Sequence, residues 1–255
     1  MRGVQRFGQL LQVWMGWISV LPAVLVAFPA SAGPPFLTDD PQPTSRGHYE
    51  TYFFAQGAIS RDGREGSGGI DFNYGAADDL QLTAVLPIAW ATAGAAPSSH
   101  GLGNIELAAK YKFLHQEDSG VDVAFFPRVF LPAENEAVAQ HHASLLLPLW
   151  LQHTWDTWSA FGGGGCELNR GGDSHDFCLF GLAVAREALQ NLQVGVELYH
   201  QTPDAKGSRV STDVNLGATY DIDPHLHLMA SIGKGVQNRA RTDRTNWYAA
   251  LLWTL

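Results

Sequence analysis

The sequence predicts an all-β fold, a transmembrane antiparallel up-and-down β-barrel of about twelve strands, and three observations predict it. Segments of roughly ten residues alternate apolar and polar side chains, the length a tilted strand needs to cross a bilayer. Long and short connections alternate between those segments. The polar faces carry charges that a dry core would have to pair at high desolvation cost, whereas a hydrated interior accepts them.

The chain of 255 residues is 45% hydrophobic and only 16% charged, which places it among folded chains rather than disordered ones. Past the first thirty residues no run approaches the eighteen or so continuous apolar residues of a spanning helix, so later membrane contact falls to strands. Arg2 and Arg6 precede an apolar run from Val13 to Phe28, and Ala30-Ser31-Ala32 follows as an A-x-A cleavage site. Residues 1–32 therefore read as a secretory signal peptide, and Pro22 within a short run argues against an uncleaved anchor. Its removal takes the formal charge from −9 to −11, which excludes nucleic acid as a partner held by phosphate neutralisation.

Residues 33–47, "GPPFLTDDPQPTSRG", read as a Pro-rich periplasmic lead, and 48–255 as the barrel. Strands are expected near 48–60, 69–76, 79–91, 102–114, 121–131, 143–153, 158–168, 177–186, 191–201, 210–221, 225–235 and 246–255. The connections "RDGREGSGG", "ATAGAAPSSHG", "AENEAVAQHH", "NRGGDSHD", "TPDAKGSR" and "QNRARTDRT" are the long ones. The short ones are "AADD", "HQEDSG", "WDTW", "REALQN" and "DIDPH". That asymmetry is the mark of an outer-membrane barrel with long outer loops, tight periplasmic turns and both termini in the periplasm.

In "NLQVGVELYHQ", residues 191–201, Leu192, Val194, Val196 and Leu198 share one face, and Gln193, Gly195, Glu197, Tyr199 and Gln201 share the other. In 102–114, Ile105, Leu107, Ala109, Tyr111 and Phe113 oppose Asn104, Glu106, Lys110 and Lys112. The barrel reading turns the apolar faces to lipid and assigns Glu50, Asp71, Glu106, Lys110, Lys112, Asp122, Arg128, Glu197, Asp213 and His227 to the pore lining. Tyr74, Phe113, Trp155, Trp158 and Tyr220 fall beside short turns, with Trp90 and Trp247 near long loops, as two aromatic girdles would.

Cys166 and Cys178 flank one loop and either form a disulfide in an oxidising compartment or stand as free thiols. Joining them with His175 in a metal site leaves the ligand set one short, so no metal and no cofactor is assigned. Pro87, Pro127 and Pro148 lie inside expected strands, where each should mark a bulge or bend, and a gap in the wall there would let an apolar solute leave sideways. "FGGGGCE" lacks the Lys-Ser/Thr and the helix of a phosphate loop, so its glycines read as room for a bulky neighbour or an inward-folded segment.

At "PPFLTDDPQPTSRGHYETYFF" the chain resembles an outer-membrane family labelled as transporters of a phenol-degradation (MetA) pathway. The resemblance rests on Thr38, Asp39, Asp40 and Pro41, followed by Gly47, Glu50 and Tyr52 at the first strand. The segments "GLGNIELAAKYKFL" and "VDVAFFPRVFLP" are similar to the family's middle strands. The resemblance implies a bacterial outer-membrane barrel associated with uptake of small, often aromatic or hydrophobic, compounds. The chain departs from the usual outer-membrane pattern at its end, where Leu255 replaces a terminal aromatic and Trp253 stands two residues before it.

A catalytic alternative rests on His142 and Ser144, two apart on one strand face with Glu134 and Glu136 nearby, a spacing that resembles the His-x-Ser pair of lipid A deacylases. No Ser-Asn-Gly phospholipase motif accompanies it. The other alternative is a structural or adhesive barrel acting through its loops. The reading favoured by charge and alternation is a non-enzymatic channel for passive passage of small solutes, in contact with outer-membrane lipid and lipopolysaccharide and inserted by the barrel assembly machinery. Arg239, Arg241 and Arg244, with Lys234 below, either meet lipopolysaccharide phosphates or narrow the mouth.

Overall fold

The computed structural model describes residues 35–94, 97–133, 138–172, 174–238 and 244–255. The expected signal peptide at 1–32, with Glu134, Glu136, Arg239 and Arg241, lies outside them. The strands are β1 (Tyr49–Ile59), β2 (Gly63–Ala77), β3 (Leu80–Ala93), β4 (Ser99–Leu102), β5 (Ile105–Leu114), β6 (Asp122–Phe125) and β7 (Arg128–Leu131). They continue with β8 (Ser144–Trp155), β9 (Trp158–Leu168), β10 (Phe177–Leu189), β11 (Leu192–Gln201), β12 (Ser211–Asp223), β13 (Leu226–Gly235) and β14 (Thr245–Thr254). Because β4 with β5, and β6 with β7, each form one interrupted stave, these segments make a twelve-stave antiparallel barrel. It closes where β1 pairs with β14, Glu50 opposite Thr254 through Ile59 opposite Thr245. A short helix, α1 (Gln116–Ser119), fills a turn.

Closure fixes which face sees lipid. In β11, Glu197 and Tyr199 are 1% and 2% exposed while Leu198 between them is 51% exposed. Leu107, Tyr111, Leu149, Leu182, Leu216, Leu228 and Ile232 continue that apolar outer band around the wall. A contiguous apolar girdle of this extent is untenable in water and natural in hydrocarbon. Tyr49 stacks on Tyr74 with centroids 4.9 Å apart at the rim of the short turns, where Phe113, Trp155, Trp158, Tyr220 and Trp253 also face outward. At the opposite rim Trp247, Gly57, Gly66 and Trp90 are successive cross-strand partners, and a Cβ on Gly57 or Gly66 would press into an indole ring. Both girdles are therefore built, one of them seated on glycine.

The turns between β2 and β3 and between β8 and β9 are tight because Asp79 and Asp156 take positive φ, 63° and 47°, a region Asp tolerates better than branched residues. Two of the connections expected to be long are shorter. β2 begins at Gly63, leaving only residues 60–62 outside strands, because Arg64–Gly69 pairs with both neighbours and Gly63 with Ala93 of β3. β3 likewise runs on to Ala93, with β4 resuming at Ser99.

The prolines behave as their missing N–H dictates. Pro87 and Pro148 sit inside strands, opposite Gly69 and Gly165, and on their other sides the ladder lapses. Pro127 falls in the break between β6 and β7. Each lapse is bridged through a proline carbonyl, which accepts from Gly103 N at 2.9 Å (Pro87), Ala109 N at 3.2 Å (Pro127) and Phe126 N at 3.1 Å (Pro148). The outcome is a thinned seam across neighbouring staves, crossed by single hydrogen bonds.

Residues 35–47, expected as a lead in the periplasm, instead turn into the barrel. Phe36, Thr38, Asp39 and Thr44 are all buried there. The physical reason is that this stretch brings backbone donors and carboxylates to a wall whose inner face presents unpaired partners for both.

Candidate functional site

The inner face is the candidate site, and period-two alternation places every expected lining residue on it. Glu106 and Arg128 lie on adjacent staves and form a bidentate pair, Nε to Oε1 at 2.6 Å and Nη2 to Oε2 at 2.8 Å. The Arg128 guanidinium also faces the rings of Phe126 and Phe130, at 5.4 and 5.6 Å. Lys110 Nζ donates to Asp39 Oδ1 at 2.9 Å and to the Gln42 carbonyl at 3.3 Å. Lys112 Nζ donates to Gln42 Oε1, and Gln42 Nε2 donates to Asp122 Oδ2 at 2.9 Å.

Glu197 holds the lead by its backbone: Leu37 N and Thr38 N donate to its two oxygens, and Asn215 Nδ2 adds a third bond. Asp213 accepts from Arg244 Nη2 at 3.1 Å and from Asn246 Nδ2 at 3.0 Å, so Arg244 turns into the mouth. Asp71 accepts from Asn73, Glu50 from Tyr52 OH, and His227 Nδ1 lies 2.6 Å from Asp221 Oδ1 at the turn rim. These charges were expected to stand in water. They are instead largely buried and paired, because the lead fills the space that water would have occupied.

The wall is shaped to admit the lead. Gly181 faces inward, and a Cβ there would collide with the Thr38 side chain. Gly195 is likewise backed by the Phe36 ring, whose tip would lie 2.9 Å from a Cβ. Gly217 on β12 is backed by Pro35 and Phe36, and Gly75 on β2 by the Thr44 and Ser45 carbonyls, so room for the inward segment is made on β2, β10, β11 and β12 rather than by the Gly162–Gly165 run of β9 that suggested it.

Sequence reasoning missed the apolar half of the lumen. Phe126, Phe130, Leu146, Trp150, Phe177, Leu179 and Tyr199 form one buried cluster, and Tyr52, Met229, Tyr248, Ala250 and Leu252 another. The signal was present in "SLLLPLWLQ", where strict alternation puts Leu146, Pro148 and Trp150 on the face opposite Leu147, Leu149 and Leu151. The interior thus combines ion pairs with aromatic surface.

Cys166 and Cys178 are direct cross-strand partners on β9 and β10 and are joined as a disulfide. In the loop beyond it, Asp176 accepts the Asn169 backbone N–H, which holds its carboxyl below the usual carboxylate range. Ser144 Oγ donates to Gln140 Oε1 at 3.1 Å, whereas His142 Nε2 lies 2.9 Å from Asn169 Oδ1. The two residues are thus engaged with different amide partners.

The fold is shared with solved outer-membrane barrels. The COG4313 outer membrane channel from Pseudomonas putida F1 superposes with a TM-score of 0.70 at 13% identity, covering 85% of this chain and 98% of that one. The KdgM porin matches with a TM-score of 0.55 at 12% identity, covering 80% and 98%. The β domain of the Bordetella autotransporter BrkA matches at 0.52 and 14%, covering 81% and 98%. Among curated proteins no significant sequence match is found. A model of the family described as "Putative MetA-pathway of phenol degradation" matches residues 60–249, from the end of the first strand to the last. With that match spanning most of its length, on an outer-membrane barrel whose apolar band faces lipid, the chain belongs to this family.

Proposed function

We propose that the chain is a passive outer-membrane channel for small solutes, aromatic or hydrophobic compounds among them, and that the lead at 35–47 narrows its lumen. The observation that carries this reading is an apolar outer wall around an interior of ion pairs and aromatic rings, crossed by a segment held through side-chain hydrogen bonds and joined to the sheet at its end, where Arg46 and Gly47 meet Gly75 of β2. A barrel of twelve staves is wider than one filled by its own side chains, so there is room for a path once the lead shifts. The fold shared with a channel and a porin, and the family's association with phenol degradation, support it.

Glu50, Asp71, Glu106, Lys110, Lys112, Asp122, Arg128, Glu197, Asp213 and His227 are the proposed lining. Six of these are acids and three are bases, and Glu50, Asp71 and Glu197 are held by neutral donors, so a modest cation preference follows. The role of His142 and Ser144 is structural, in keeping with their separate partners. Lipid and lipopolysaccharide surround the wall, and the barrel assembly machinery inserts it. The test is conductance of the purified protein in planar bilayers. Discrete steps that enlarge when residues 33–44 are deleted support the reading, and an absence of steps in both proteins contradicts it.

A further inference from the structure

On the loop side of the lead's tip lies a pocket bounded by Phe36, Gln56, Ser67, Asn215, Asn246 and Tyr248. Its two asparagines are fixed by buried carboxylates. Asn215 Nδ2 donates to Glu197 Oε2, and Asn246 Nδ2 donates to Asp213 Oδ1 at 3.0 Å. Turning either amide over would set its oxygen against a carboxylate, so the orientations are determined by charge. Both Oδ1 atoms consequently face away from the carboxylates, and both are buried with no hydrogen-bond partner. Asn215 as a whole is only 4% exposed.

Gly233 stands between the two asparagines as the cross-strand partner of each. A Cβ at Gly233 would overlap Asn215 Oδ1, so the wall has kept this position bare. Two orphaned acceptors against aromatic surface carry a desolvation cost that an occupant with donors would relieve.

We propose that this pocket binds a solute bearing a hydrogen-bond donor, a hydroxyl or an ammonium, on a flat apolar body. The donor bonds to Asn215 Oδ1 and Asn246 Oδ1, and the body lies against Phe36 and Tyr248. A carboxylate in the same place would set acceptors against acceptors, with Glu197 and Asp213 behind them, so aromatic acids are disfavoured. The inference rests on the channel reading, and it makes this pocket the step at which the channel selects.

The test is calorimetric titration of the folded barrel in detergent with benzylammonium, benzyltrimethylammonium and benzoate, empty micelles serving as the blank. The two cations share charge and ring and differ in N–H donors. Benzylammonium is expected to bind at least ten-fold more tightly than benzyltrimethylammonium, from the loss of its charge-assisted hydrogen bonds to the two asparagines. Asn246→Ala and Asn215→Ala are each expected to reduce that preference several-fold. If Asn215→Ala fails to fold, judged by heat-modifiable gel migration, the less buried Asn246 carries the test alone. Equal affinity for the two cations, a preference undiminished in Asn246→Ala, or benzoate binding as tightly as benzylammonium would each overturn the proposal. Absence of conductance in planar bilayers would instead sink the channel reading, because the binding preference is measured without a pore.

Discussion

Replacing Glu197 by glutamine should loosen the lead without altering the wall. The carboxylate accepts from Leu37 N and Asn215 Nδ2 on one oxygen and from Thr38 N on the other, all at a site 1% exposed. Glutamine keeps one acceptor and turns an amide NH₂ toward donors, so at least one charge-assisted bond is lost and another is left facing a like group. Such bonds contribute about 1.5–3 kcal/mol each, and rearrangement of the amide recovers part, which leaves a net cost of about 2 kcal/mol. That corresponds to about a thirty-fold rise in the population with the lead displaced. Single-channel recording in planar bilayers reads it directly: Glu197→Gln should spend about thirty-fold more time in the larger conductance state that deletion of residues 33–44 makes permanent. Identical open-state occupancy in Glu197→Gln and the unaltered protein would refute the reasoning.

Removing Arg128 alone strands Glu106 in a buried site, so Arg128→Met should lower unfolding free energy by about 3–5 kcal/mol, while Arg128→Met with Glu106→Leu should restore most of it; denaturant titration in lipid vesicles measures both. Opening the Cys166–Cys178 bridge with the double serine variant should cost about 3 kcal/mol by loop closure across a separation of 12 residues, seen as a lower midpoint in the same titration. Along the proline seam, amides next to the lapses, at Ala109 and Phe126, should exchange with deuterium faster than those of the fully paired β10–β11 ladder, and equal protection would show the seam to be no weaker than the rest. Reversal potentials under a salt gradient should show a modest cation preference, since Glu106 with Arg128 and Lys110 with Asp39 cancel locally while Glu50, Asp71 and Glu197 have neutral partners, and a preference for anions would contradict that arrangement.

The barrel was legible because a wall one residue thick records its two environments at period two: the split of Val196 and Leu198 from Glu197 and Tyr199 is written in eleven residues. The inner residues could be picked out for the same reason, since Glu106, Lys110 and Arg128 interrupt apolar runs at the right parity. Their partners could not. Pairing of Lys110 with Asp39 joins residues 71 apart, and nothing local in "TDDPQPTS" says that it folds inward rather than hanging free. Its clues lie elsewhere in the chain, at Gly181 and Gly195, whose lack of side chains is meaningful only once Thr38 and Phe36 are seen against them. The strand ends at Gly63 and Ala93 escaped because glycine-rich and alanine-rich stretches look like loops when the pairing that holds them is hidden.

Orientation of the wall is the central claim, and spin labels on neighbouring residues test it most directly. With both native cysteines tied in the disulfide, single cysteines can be placed at Leu198, Leu216 and Ile232 on one face and at Gln56, Ser67 and Ser231 on the other. In reconstituted vesicles the first set should be relaxed by oxygen, which concentrates in hydrocarbon, and the second by a water-soluble nickel chelate or by neither agent. Preferential relaxation of the Leu198, Leu216 and Ile232 labels by the nickel chelate would contradict the account.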